Sequence, residues 1–169
     1  WESQVAIETG EILTETYTNL DQLLREAGFL QASFDTIMST LNQNDHARRH
    51  TPSISPVKGE MWVSSLFGNR FDPFTGRREF HRGLDLAGRS ASPIVATADG
   101  IVDQVAKDKY LGWYVAIKHD FGFRTVYGHL LKKPPVKKGQ KVVRGERIGD
   151  MGSSGRSTAT HVHYGVSKN

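Results

Sequence analysis

Beyond residue 51 the chain is cut into short runs by turn signals, and that spacing leaves it little choice of architecture. Most of its 17 glycines lie in this part. Asp99-Gly100, Asp120-Phe121-Gly122, Lys138-Gly139 and Gly152-Ser153-Ser154-Gly155 separate the strand-like runs Met61–Ser65, Ile94–Ala98, Ile101–Val105, Trp113–Lys118, Phe123–Tyr127, Lys141–Val143 and His161–Val166. No helix of 10–15 residues alternates with these runs. A βαβ sheet is therefore excluded, and an antiparallel all-β domain is expected.

The first 50 residues have another texture. Leu13, Tyr17, Leu20, Leu24, Ala27, Phe34, Met38 and Leu41 recur in steps of three and four, and no proline interrupts them. The spacing predicts an α-helical segment, either a hairpin opened at Gly28 or a coiled-coil-like rod. Its apolar stripe needs a partner, so self-association through residues 1–50, or docking near the other unit, is expected. Charge divides at the same place. Residues 1–50 hold three basic and eight acidic side chains, whereas residues 51–169 hold 19 and 10, so balances of −5 and +9 face each other. Thr51-Pro52-Ser53-Ile54-Ser55-Pro56 has two prolines and no period. The expected units are thus a helical segment over 1–50, a linker over 51–58 and a β-domain over 59–169.

Composition removes several classes. There is no cysteine, which excludes a disulfide scaffold and a thiolate metal site. No run of about 18 apolar residues is present. The chain begins at Trp1 and not at Met, so a leader or membrane anchor is expected in a preceding part. Lys132, Lys133, Lys137, Lys138 and Lys141 form a basic cluster, but no aromatic-rich motif accompanies it, and no nucleic-acid partner is expected.

Chemistry concentrates in the seven histidines. In His161-Val162-His163 the two imidazoles would share one face of a strand, with Val162 and Tyr164 on the other. His81 and Asp85 suit a borderline metal, but a straight strand would hold them about 13 Å apart. The backbone must bend, and Gly83 between them can supply the bend. His129 follows a strand-like run. His119 reads as structural. His46 and His50, four apart near the helix end, read as capping or solvent-facing, with a regulatory metal contact as the other reading. Two histidines and a carboxylate make a three-ligand zinc site with an open position, the arrangement of catalytic sites and not of closed structural ones.

Taken in order, His81-x-x-x-Asp85, Tyr127-Gly128-His129-Leu130 and His161-Val162-His163 resemble the LytM/lysostaphin-type zinc endopeptidases, which cleave peptide cross-links of bacterial peptidoglycan. Ser65–Pro73, Val95–Val102 and Val136–Gly149 extend the resemblance over about residues 56–167. It implies a small antiparallel LytM-type β-sheet with a groove. It implies Zn2+ held by His81, Asp85 and His163, and catalytic roles for His129 and His161. Two departures spare those five residues: Ser157-Thr158-Ala159-Thr160 stands where Ser-Thr-Gly-Pro is usual, and Gly165 stands where an acidic residue is common. The expected function is hydrolysis of peptidoglycan stem-peptide cross-links in the cell envelope, periplasmic or cell-surface, by a metal-activated water. The alternative is a LytM-like non-catalytic domain that binds or activates another cell-wall hydrolase.

Overall fold

A computed structural model of the chain describes residues 2–168, with side chains described at residue 10 and from residue 13 onwards. Trp1 and Asn169, the outer ends of the expected units, lie outside the described residues. The contacts divide the chain into a helical unit, residues 1–45, and a β-unit, residues 46–169.

Helix α1 runs without interruption over Glu2–His50. Of the two forms expected for the segment, the hairpin is not taken: the helix continues through Gly28. A single interior glycine costs only about 1 kcal/mol, and exposed pairs one turn apart support the rod around it. Gln22 donates to Glu26 and Gln31 to Asp35, each at 2.9 Å, and Arg25 pairs with Asp21. The apolar side chains of the expected stripe, among them Leu20, Leu24 and Phe34, are exposed.

The β-unit contains strands β1 (Met61–Ser65), β2 (Gly68–Phe71), β3 (Arg78–His81), β4 (Leu84–Gly88), β5 (Pro93–Val95), β6 (Gly100–Asp108), β7 (Gly112–Lys118), β8 (Phe123–Leu130), β9 (Lys141–Val142), β10 (Arg147–Asp150) and β11 (His161–Lys168). Seven form one antiparallel sheet in the order β1-β4-β11-β8-β7-β6-β9, and β2–β3 and β5–β10 form two small antiparallel pairs. The mostly-β antiparallel class read from the turn spacing is the class observed.

Strands β2, β3, β4 and β10 escape the reading of strand-like runs. β4 carries Leu84-Asp85-Leu86-Ala87-Gly88 with its three central residues buried in succession, so no period of two exists to be seen. Residues 51–58, expected as a linker, lie along the β-unit. Pro56 accepts from the Val95 amide at 2.8 Å, Lys58 donates to Pro93 at 3.0 Å, and Val57 is buried in the core.

The core gathers Ile94, Val115, Ile117, Leu130, Ile148, Met151 and Val162. It also holds a polar cluster at the Tyr127 hydroxyl, which accepts from the Thr97 amide at 3.0 Å, from the Thr125 hydroxyl at 3.1 Å, and lies 2.9 Å from the Thr97 hydroxyl. Tyr164 donates to that same Thr97 hydroxyl. Burial pushes the Tyr127 and Tyr164 phenols up, so both stay neutral hydrogen-bonding groups.

Replacing Tyr127 by Phe leaves the Thr97 N–H buried without its acceptor. The expected cost is about 1–3 kcal/mol, read as a lower midpoint in urea denaturation. A midpoint equal to that of the parent chain contradicts this reading of the cluster.

Candidate functional site

The register of β11 against its neighbours assembles the site. His163 stands opposite Asp85 of β4 on one side and opposite Gly128 of β8 on the other. His161 and His163 share a face, while Val162 is buried in the core on the opposite one, as the alternation predicts. His81 ends β3, and the chain turns at Arg82-Gly83 into β4, which closes the distance a straight strand would leave open. Gly83 meets a second demand, one of space. A Cβ there would lie 2.6 Å from the imidazole of His163 and 2.7 Å from the Tyr164 carbonyl oxygen.

Three donor atoms converge as a result. Oδ1 of Asp85 lies 2.9 Å from Nδ1 of His163 and 3.1 Å from Nε2 of His81, and those two nitrogens are 3.0 Å apart. A tetrahedral ion with bonds of about 2.0–2.1 Å separates its ligand atoms by about 3.3–3.4 Å. The triangle therefore fits a zinc-sized ion with small outward shifts, and the N2O donor set is the chemistry of zinc.

Two of the three donors are oriented from behind. The His81 Nδ1–H donates to the Leu66 carbonyl at 2.8 Å, which turns the Nε2 lone pair inward. The Arg70 guanidinium donates to Oδ2 of Asp85 at 2.9 Å and is itself held by Glu79 at 2.9 Å and Ser65 at 2.7 Å. Burial opposes ionisation of Asp85. The hydrogen bond from His163, the proximity of His81 and the bond from Arg70 outweigh it and hold the carboxyl well below the usual carboxylate range.

His129 and His161 stand beside this cluster with ring centroids 4.6 Å apart. His129 adopts φ 58°, a left-handed backbone that costs a non-glycine residue on the order of 1 kcal/mol. Its amide donates to Leu111 at 2.6 Å, and its Nδ1–H donates to the Ser154 carbonyl at 2.8 Å. Ser154 is pinned in turn, donating to the Leu130 carbonyl and accepting from the Trp113 amide. Burial, then the neighbouring His161 and His163, push the His129 imidazole down to about 4. The His161 Nδ1–H donates to the Ala159 carbonyl at 2.8 Å. A carbonyl can only accept, so each ring has its proton on Nδ1 and a lone pair on Nε2.

These five residues line one open groove of about 940 Å3. Asp72 and Arg156 form part of its wall and pair at 2.5–2.6 Å. Burial raises the Asp72 carboxyl, but amide hydrogen bonds from Thr75 and Phe74 at 2.8 Å and the Arg156 charge bring it to about 2. His119 is not part of the groove; it is buried, with Nδ1–H donating to Asp99, and burial pushes its imidazole down. The supporting residues Arg70, Asp72, Ser154 and Arg156 were not singled out from the sequence. No spacing announces a pair 84 positions apart such as Asp72–Arg156.

Residues 79–169 match the family described as peptidase family M23. The peptidoglycan DD-endopeptidase ShyC of Vibrio cholerae is 32% identical over 165 residues, which cover 95% of this chain and 37% of that protein. ShyA of the same organism, also named a peptidoglycan DD-endopeptidase, is 43% identical over 110 residues, 64% of this chain and 25% of that protein. Among solved structures, the catalytic domain of the prophage-encoded M23 protein EnpA from Enterococcus faecalis superposes with a TM-score of 0.59 at 34% identity, covering 71% of this chain and 88% of that one. The catalytic domain of lysostaphin from Staphylococcus simulans gives 0.58 at 28% identity, covering 65% and 80%. The chain spans only 23–37% of the length of the first curated relatives it matches.

Two outcomes follow from the supporting contacts. Arg70→Gln frees one oxygen of Asp85, and metal affinity at the cluster should fall by roughly 10–100-fold, measured by competition with a chelating dye; unchanged affinity removes Arg70 from the site's support. Asp72 ionises more readily in the folded chain (about 2) than unfolded (about 3.9). Its contribution is therefore complete above about pH 4 and is lost as pH falls through about 2. Urea midpoints of the parent chain and Asp72→Asn should differ at pH 7 and draw together toward pH 3. A constant difference across that range contradicts the ionic role.

Proposed function

This chain belongs to peptidase family M23, and from that premise we propose that it is a zinc-dependent endopeptidase that hydrolyses peptide cross-links of bacterial peptidoglycan. The observation that carries the proposal is the meeting of three metal-donor atoms with two imidazoles whose Nε2 lone pairs are free to take a proton. The relatives named DD-endopeptidases favour a D-alanyl to meso-diaminopimelate bond over an oligoglycine bridge. Such a substrate lies in the cell envelope, so we assign the chain to the periplasm or cell surface. We assign the reaction to residues 59–169.

In this reading His81 through Nε2, His163 through Nδ1 and Asp85 through Oδ1 hold Zn2+. Bound there, the ion would supply Lewis acidity toward the scissile carbonyl and would lower the pKa of a water toward neutrality. His129 and His161 move the proton. An Nε2 lone pair accepts it from the attacking water, and the resulting Nε2–H donates to the developing oxyanion or the departing amine. The carbonyls of Ser154 and Ala159 keep each ring in the tautomer this requires. Arg70 keeps Asp85 ionised and aimed.

Digestion of purified peptidoglycan, with muropeptides identified by mass spectrometry, tests the proposal. Cross-linked dimers should convert to monomers, and a chelator should stop the conversion. Intact cross-links under all conditions, with zinc bound in the groove, would favour the non-catalytic alternative. The two sets of histidines should separate. His163→Ala should lose the metal from the groove. His129→Ala and His161→Ala should keep it while losing roughly 10²–10⁴-fold in rate. Metal loss in both of the latter variants overturns the division of roles.

A further inference from the structure

A second cluster of metal-donor side chains lies outside the groove. His46 and His50 are one turn apart at the end of α1 and so share a face. Their rings stack with centroids 4.0 Å apart. Asp120, from the 3-10 turn Asp120–Gly122 between β7 and β8, reaches between them. Its Oδ2 lies 3.3 Å from Nε2 of His46 and 3.5 Å from Nε2 of His50. All three residues belong to the β-unit.

We propose that His46, His50 and Asp120 form a second site for a borderline transition-metal dication, Zn2+ in the first place. The two nitrogen–oxygen separations straddle the roughly 3.3–3.4 Å that tetrahedral zinc sets between its ligand atoms. The His50 Nδ1–H donates to the His46 carbonyl at 2.9 Å, which fixes the tautomer and leaves Nε2 as the ligand atom facing Asp120. Two imidazoles and one carboxylate select zinc, nickel or cobalt over calcium and magnesium, which prefer all-oxygen shells.

The surroundings hold the donors in place. Arg49, between the two histidines, pairs with Asp99 at 2.9 Å, and the Asp99 amide donates to the Arg49 carbonyl at 2.8 Å. Phe121 takes φ 56°, an uncommon backbone for a bulky residue, and packs edge-on against the His46 ring. An ion here would join the last turn of α1 to the β7–β8 turn. With His46 and Asp120 exposed, water would complete its shell, and the ion would exchange more readily than one held by the buried His81–Asp85–His163 cluster.

The full chain, stripped of metal and titrated with Zn2+ against a chelating dye, should bind two ions. The double variant His46→Ala/His50→Ala should bind one, and Asp120→Asn should weaken the second site by about tenfold or more. Zn2+ should slow backbone hydrogen exchange at residues 46–51 and 119–123 in the parent chain and not in the double variant. Two ions in both chains, or one ion in both with no difference in exchange, overturns the second site. The same titration of His163→Ala keeps this reading apart from the catalytic one. A single ion there, lost on adding the His46→Ala/His50→Ala changes, supports the second site whether or not peptidoglycan is cleaved.

Discussion

The Asp85 carboxylate is the constraint around which the groove is organised. It is a charge in a buried position, and an isolated carboxylate there would take up a proton. Arg70 occupies one oxygen, and His81 and His163 converge on the other. The two sides have different origins. His163 arrives by register, opposite Asp85 in the ladder between β4 and β11. Arg70 arrives from the β2–β3 hairpin, whose last residue is His81 itself. One carboxylate thus ties the small hairpin to the main sheet and holds the metal donors in a triangle.

The rest of the site depends on exceptions to regular strand structure. A shift in register between Val63 and Ser65 brings Ser65 opposite Asp85, where its hydroxyl accepts from Arg70. Gly83 leaves room for the His163 ring. His129 holds a left-handed backbone because the Leu111 carbonyl, the Ser154 carbonyl and the sheet on either side together over-determine it. The strain turns the ring of a core-strand residue into the groove. Beneath the sheet, the Tyr127–Thr97–Thr125 cluster satisfies polar groups that would otherwise disfavour burial of strands this rich in threonine and tyrosine.

The residues that meet in the groove were legible in the sequence because the candidate metal donors lie in short local patterns. H-x-H needs only the alternation of a strand, and H-x-x-x-D needs only a bend that the intervening glycine permits. The supporting residues were not legible. Arg70 and Asp85 are 15 positions apart, Asp72 and Arg156 are 84 apart, and neither pair has a local period. Strand β4 was invisible for a related reason, since burial on both faces removes the alternation by which a strand is recognised.

By itself, the sequence determined that the chain would be a helical segment followed by an antiparallel β-unit. Turn residues and apolar periodicity act over a few positions and are written directly in the order of residues. It also determined which side chains could bind a metal, because donor chemistry belongs to the residue type. Local helical hydrogen bonding and one-turn side-chain pairs, not a tertiary contact, carried the helix through Gly28 at a cost of about 1 kcal/mol. Tertiary structure decided that residues 51–58 would lie on the β-unit, through backbone hydrogen bonds to Pro93, Val95 and Thr97. It decided which histidines would meet, because sheet order and register bring together residues separated by up to 82 positions in the chain.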